Sequence, residues 1–242
     1  MSEPPHYDVT GSGPVLLLVP GGAGHPMGLG PLTERLARRF TVVTYDPLGL
    51  AHGQLGLPVP DQRPADWSDG AHRVLEAVVP PGERAHVFGT SSGGIAVLDL
   101  LARSPRRLAH VVAHEPPCVT VLPDGPQRRE ELIGRLDGPG RPAAEGASAT
   151  PMGVFLAHVL RPFTTYVPSP ATPAHRLTLA VGADSRGQLL HRATELVADR
   201  LGSALVEFPG GHLGTLDHPV EFADLLTETL RSGARASPQE GP

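Results

Sequence analysis

The chain has no lysine: all 20 of its basic residues are arginine. That excludes a phosphate-loop lysine, a pyridoxal Schiff base and the Tyr-x-x-x-Lys dyad of short-chain dehydrogenases. Cysteine occurs once, at Cys118, which excludes an internal disulfide and any cysteine-rich zinc site. Aromatic residues make up 4% of the chain, which argues against a deep aromatic-lined site. No apolar run approaches the ~20 residues of a membrane span. The first residues, Met-Ser-Glu-Pro-Pro-His, lack a basic segment followed by an apolar one, so no secretory signal is read and a cytoplasmic location is expected. A net charge of −5 gives no reason to expect nucleic acid or an anionic membrane surface as a partner.

What is present is 242 residues, 40% hydrophobic and 19% charged, enough for one α/β domain with a modest insertion. A short strand is expected near Tyr7–Thr10. Val15–Val19 is a continuous apolar run, as a strand buried on both faces should be. Strands are further read at Thr41–Tyr45, Ala85–Phe88, Leu108–His114, Leu177–Val181 and Ala204–Phe208. Helices are read at Leu32–Phe40, Asp66–Val79, Ser92–Arg103, Gln188–Leu201 and Pro219–Arg231. This alternation predicts a mostly parallel, doubly wound α/β sheet with helices on both faces. Between residues 116 and 175 the pattern breaks, with prolines at 116, 117, 123, 126, 139, 142, 151, 162, 168, 170 and 173. Helices are read there at Gln127–Leu136 and Met152–Leu160. The expected organisation is a core of residues 1–115 and 176–232, a lid at 116–175, and a disordered tail at 233–242. Met152, Phe155, Leu156, Val159 and Phe163 can line an apolar pocket or pack the lid onto the core.

One stretch carries chemistry. Gly89-Thr90-Ser91-Ser92-Gly93 is Gly-x-Ser-x-Gly, set between a strand-type run and a helix-type run. A serine on such a turn projects its hydroxyl at the sheet edge, above a helix N-terminus. Glycines flank it because a side chain there would strike the neighbouring strand or helix. A serine hydroxyl needs a base to take its proton, and histidine suits. Of 12 histidines, His212 stands out by position. It follows the last strand in Pro209-Gly210-Gly211-His212-Leu213-Gly214 and can reach over the sheet to Ser91. His218, at a helix start, reads as a surface or capping residue, and His158 and Cys118 as structural.

A third group must hold the imidazole. Glu115 and Asp184 both qualify, since each follows a strand at the carboxyl edge. Two N–H donors must hold an oxyanion, typically worth 10²–10³ in rate per donor. Ser92 can supply one, and the glycine-rich loop after Val19 the other, through Gly22 or Ala23.

Together these residues resemble the α/β-hydrolase superfamily. The order serine, acid, histidine matches, as do the nucleophile turn, the Gly-rich loop after residues 15–19 and Tyr45-Asp46-Pro47-Leu48-Gly49. The resemblance covers about residues 12 to 231. It implies the fold, a lid after the sixth strand of that fold, and hydrolysis of an ester or related acyl bond with no cofactor and no metal. The expected partner is an apolar small-molecule acyl substrate; thioesters, lactones and carbon–carbon bonds stay open. Two positions depart from the pattern. Pro20-Gly21 stands where the family often has His-Gly. The usual Gly-x-x-Asp acid would fall on Ser185, one residue after Asp184. Some members take the acid from the strand after the nucleophile's helix, and Glu115, 24 residues after Ser91, resembles that arrangement and is favoured over Asp184. A serine nucleophile argues against the dehalogenases and epoxide hydrolases of the superfamily, which use aspartate.

Two readings from other classes compete. Gly22-Ala23-Gly24 after a strand, with Gly28 and with Asp46 ending the next strand, resembles a dinucleotide fingerprint. Met27 stands where its third glycine belongs, and Pro26 sits in the turn. A non-catalytic binding protein on the same fold is the other. Metal chemistry gains little: His110 and His114 are four apart but on a strand, ~13 Å from one another.

Overall fold

The computed structural model describes residues 5–22, 29–137 and 150–236. Its sheet has seven strands: β1 (Tyr7–Gly11), β2 (Val15–Val19), β3 (Thr41–Tyr45), β4 (Ala85–Thr90), β5 (Leu108–His114), β6 (Leu177–Gly182) and β7 (Ala204–Phe208). They lie in the order β1-β3-β2-β4-β5-β6-β7. Only β1, at one edge, runs antiparallel, pairing with β3. The expected mostly parallel sheet is the one observed.

The apolar run of β2 divides by the period of two. Leu16 and Leu18 face one layer, with Leu29, Leu32, Leu36, Phe222 and Leu226. That layer is α1 (Gly30–Leu36) and α9 (Pro219–Ala236). Leu17 and Val19 face the other, with Val74, Leu75, Ile95, Leu98 and Val197, from α2 (Pro64–Val78), α3 (Ser92–Arg103) and α7 (Leu189–Leu201). A strand covered on both faces has no solvent side, so it reads as continuous rather than alternating. Two boundaries follow from proline: α2 stops before Pro80, and α3 ends at Arg103, with its cap Ser104 just ahead of Pro105.

Four elements differ from the sequence reading, one of them the helix expected at Met152–Leu160, which is broken by a π-turn at Phe155–Val159. The helix expected over 32–40 ends at Leu36, and an irregular turn carries Phe40 into the core. A one-turn helix, α8 (Gly214–Asp217), follows His212. The last helix reaches Ala236, five residues beyond the expected end at Arg231, so the segment expected to be a disordered tail begins as helix; residues 237–242 lie outside the described residues. Between β5 and β6 lie α4 (Gly125–Asp137), α5 (Pro151–Val154), a π-turn (Phe155–Val159) and α6 (Leu160–Phe163). Phe163 stacks edge-on against Trp67 of α2, ring centres 4.8 Å apart. Of the expected lid residues, Phe155, Val159 and Phe163 join the core on that face, Leu156 packs against it, and Met152 is exposed. Among the described residues no helix is long and apolar enough to cross a membrane.

The connections place the site. From β2 the chain turns through α1 to β3 on one side; from β4 it turns through α3 to β5 on the other. Neighbouring strands whose connections diverge leave a crevice at their carboxyl ends, where open α/β sheets bind ligands. The loop after β2 and Ser91 after β4 flank that crevice.

His86 and His110 lie buried in register on β4 and β5. Burial drives both pKa values down, to about 4, and for His110 the neighbouring His86 and His175 add to it. Free imidazoles titrate near 6.5. Between those limits the unfolded chain binds more protons than the folded one, so stability falls as pH falls from about 6.5 to 4, by on the order of 3 kcal/mol per histidine. The urea midpoint should therefore drop between pH 7.5 and 5, and His86→Gln should flatten that drop.

Candidate active site

β4 runs into α3 through a single strained residue. Ser91 has φ 53° and ψ −123°, in a region costing of order 1–3 kcal/mol for a residue with a side chain. Its N–H is held by the His114 carbonyl at 2.9 Å. The flanking glycines are required by packing. A Cβ on Gly89 would overlap the Gly93 carbonyl, and one on Gly93 would overlap the Val19 and Pro20 carbonyls. Those are backbone atoms and cannot rotate away.

Only one other described non-glycine residue has positive φ: Glu115, at 41°. It directly follows β5, its N–H bonds the Ala180 carbonyl at 3.0 Å, and Pro116 behind it disfavours the right-handed helical region. This bend turns the carboxylate toward the crevice rather than along the strand. Glu115 is fully buried, which is costly for a charge unless it is bonded. One oxygen accepts from the Gly182 N–H at 2.9 Å and from the Ser185 hydroxyl; the other faces His212 Nδ1 at 3.0 Å. Burial is the largest influence and alone would raise its pKa. The bonds from His212, Ser185 and Gly182, with His114 nearby, outweigh it and hold the carboxyl well below the usual range.

His212 sits on the loop after β7, with Nε2 3.2 Å from Ser91 Oγ. The structure thus brings Ser91, His212 and Glu115 into one line. It does not bring Asp184. That residue is exposed, in a tight turn at 183–185 that sends Ser185 inward and Asp184 outward; its backbone N–H bonds Gly210 and its carbonyl accepts from Gln188. One residue of register separates the two positions.

On the β2 side, Gly21 approaches Ser91 so closely that a Cβ there would lie 3.3 Å from the serine Cβ. Gly22 follows, beside the same crevice. Ser92 is the first residue of α3, so its N–H has no intrahelical acceptor. Ala23, with Gly24 and Gly28, lies outside the described residues. The crevice opens into a cavity of about 370 Å³. Leu132, Leu136, Met152, Phe155 and Leu160 wall one side, and Leu29, Leu213 and Leu216 also line it. Among the described residues, its lining includes no carboxylate and no guanidinium. Asp46, the acid of the dinucleotide reading, is buried and already bonded to the Leu50 and Ala51 N–H groups and to His52 Nδ1.

The alpha/beta hydrolase family matches residues 16–225. The chain belongs to that family. One relative is the uncharacterized hydrolase YraK of Bacillus subtilis (strain 168), 29% identical over 251 residues that cover 93% of this chain and 92% of the relative. The fold is similar to that of a thermophilic esterase from Thermogutta terrifontis, with a TM-score of 0.70 and 20% identity over 95% of this chain and 93% of that one. It is also similar to the enol-lactonase of Burkholderia xenovorans LB400, with a TM-score of 0.61 and 17% identity over 95% and 96%. At these identities the likeness to the two solved structures shows the fold alone.

For this alpha/beta hydrolase, sequence reasoning missed the contribution of four residues. The Ser185 hydroxyl on Glu115 was legible in part, since Ser185 occupies the family's Gly-x-x-Asp position. His114 was weighed only as a metal ligand; it is buried, bonds Thr90 Oγ1 at 3.2 Å and lies parallel to His212 with ring centres 6.4 Å apart. Burial lowers its pKa, Glu115 opposes that, and His212 adds to it. Phe155 was read as a pocket-lining residue, but its contact with Gly22, like that of Gly21 with Ser91, depends on packing that no local pattern announces.

Proposed function

We propose that the chain is a serine hydrolase acting on uncharged, apolar acyl esters or their thioester and lactone relatives. The observation that carries this is the continuous Ser91–His212–Glu115 hydrogen-bond line at the mouth of an apolar cavity. In this reading His212 Nε2 takes the Ser91 proton as Oγ bonds the acyl carbon. The carbonyl π electrons move onto oxygen, which the Ser92 and Gly22 N–H groups hold. Collapse breaks the bond to the leaving group, which receives the proton from His212. Water then attacks the acyl-enzyme with His212 again as base, freeing the acid and restoring the serine hydroxyl. Glu115 fixes the proton on Nδ1, leaving Nε2 free to accept, and stabilises the imidazolium. Residues 116–175 act as the lid, with Leu132 and Leu136 of α4 and Met152, Phe155 and Leu160 walling the acyl side.

The test is a p-nitrophenyl ester panel, with acyl thioesters and lactones beside it. Straight-chain acyl esters should turn over. The same chains ending in a carboxylate should be at least ~100-fold poorer, because the described lining offers a buried carboxylate no cationic partner. Equal turnover of charged and uncharged chains would contradict the apolar-acyl reading.

A further inference from the structure

The helical segment over residues 151–163 carries a defect with a visible cause. Pro162 has no N–H, and its ring would crowd the carbonyl of His158, four residues back. The chain answers with a π-turn over Phe155–Val159, in which the Leu160 N–H bonds Phe155. The His158 carbonyl, freed from the helix, accepts instead from the Gln62 N–H at 2.9 Å, and the His158 ring meets Asp61 at 3.0 Å. Arg129 of α4 bonds the Arg161 carbonyl at 2.9 Å, and Arg161 pairs with Asp137. The widened turn is therefore fastened on two sides, to residues 61–62 and to α4.

Fastened this way, the turn lays the Phe155 ring on Gly22. A Cβ on Gly22 would fall among Cδ2, Cε2 and Cζ of that ring. Phe155 is buried, belongs to the core on the α2–α3 face and also walls the cavity beside Ser91. It touches the backbone of Gly22 on one face and the acyl space on another.

We infer that Phe155 is a positioning residue for the Gly22 backbone, and that a long acyl chain filling the same wall can stand in for it. This rests on the reading of Gly22 as an oxyanion donor. Short acyl groups leave the wall empty and depend on the ring; long ones press on Gly22 themselves.

The test compares kcat and KM for p-nitrophenyl acetate and p-nitrophenyl octanoate in wild type, Phe155→Ala and Phe155→Leu. Phe155→Ala should lower kcat on acetate ~10-fold, a fraction of the 10²–10³ that loss of a whole donor costs, and kcat on octanoate less than ~3-fold. Phe155→Leu should fall between, and it carries the comparison if the alanine variant does not fold. An equal fall on both esters would mean a purely structural role and overturn the inference. So would unchanged acetate kcat with a gain on octanoate, which would make the ring a mere wall. Wild-type turnover of both esters carries the serine-hydrolase reading separately, so either failure leaves that reading standing.

Discussion

Ser91→Ala should lower ester hydrolysis at least ~10³-fold while leaving the protein folded. The hydroxyl lies 3.2 Å from His212 Nε2, within reach for proton transfer. No other described side chain in the crevice offers a nucleophile so placed: the Ser92 side chain is buried at the start of α3, and the Thr90 hydroxyl bonds His114. Alanine keeps the Cβ, so the strain at φ 53° is unchanged and the stability should move by well under ~1 kcal/mol. A loss of activity with an unchanged melting temperature therefore isolates the chemistry. His212→Ala should cost a similar factor, and the double variant little more than either, because the two residues act as a unit. Activity retained in Ser91→Ala would place the nucleophile elsewhere.

The second large effect separates two carboxylates that the sequence left open. Glu115→Gln should lower kcat by ~10³–10⁴, and Asp184→Asn should change it less than ~2-fold. The amide keeps the size of the side chain and can still accept from Gly182 and Ser185 through its oxygen. Its NH₂ then faces His212 Nδ1, which must give up its proton and become the acceptor. Nε2 carries the hydrogen instead and cannot take one from Ser91. Asp184 has no comparable lever, being exposed and directed away from the imidazole. A larger loss in Asp184→Asn would move the acid to the turn after β6 and contradict the geometry at Glu115. The pH profile adds a check. Glu115 is held well below the usual carboxylate range by the bonds that outweigh its burial, so the acid limb of kcat/KM in the wild type should not contain a step at the ordinary carboxylate pKa of about 4.3.

The fold was legible because its signals are local and repeated. Val15–Val19 and Leu108–His114 read as buried strands from their own composition, and Pro80 and Pro105 mark helix ends by chemistry that needs no partner. The nucleophile turn was legible for the same reason, since Gly89 and Gly93 answer to crowding within one strand–turn–helix unit. His212 came from its place after the last strand. The choice between Glu115 and Asp184 turned on one residue of register in the 182–185 turn, which only tertiary contacts fix. The π-turn was hidden, although Pro162 announced it: a proline at that spacing says that a helix must adjust, and the carbonyl it frees was matched by a residue nearly a hundred positions away. The length of the last helix was missed because Ser232 and Gly233 are weak helix formers; packing of Gly233 against the His110 ring overrides that preference.

The central claim is that the Ser91 oxygen is made nucleophilic by His212. Labelling with a fluorophosphonate probe, followed by intact-mass measurement and peptide mapping, tests it most directly. One adduct on the peptide carrying Ser91 is predicted in the wild type, none in Ser91→Ala, and strongly slowed labelling in His212→Ala. An unlabelled but folded wild type, or an adduct on any other residue, would contradict it.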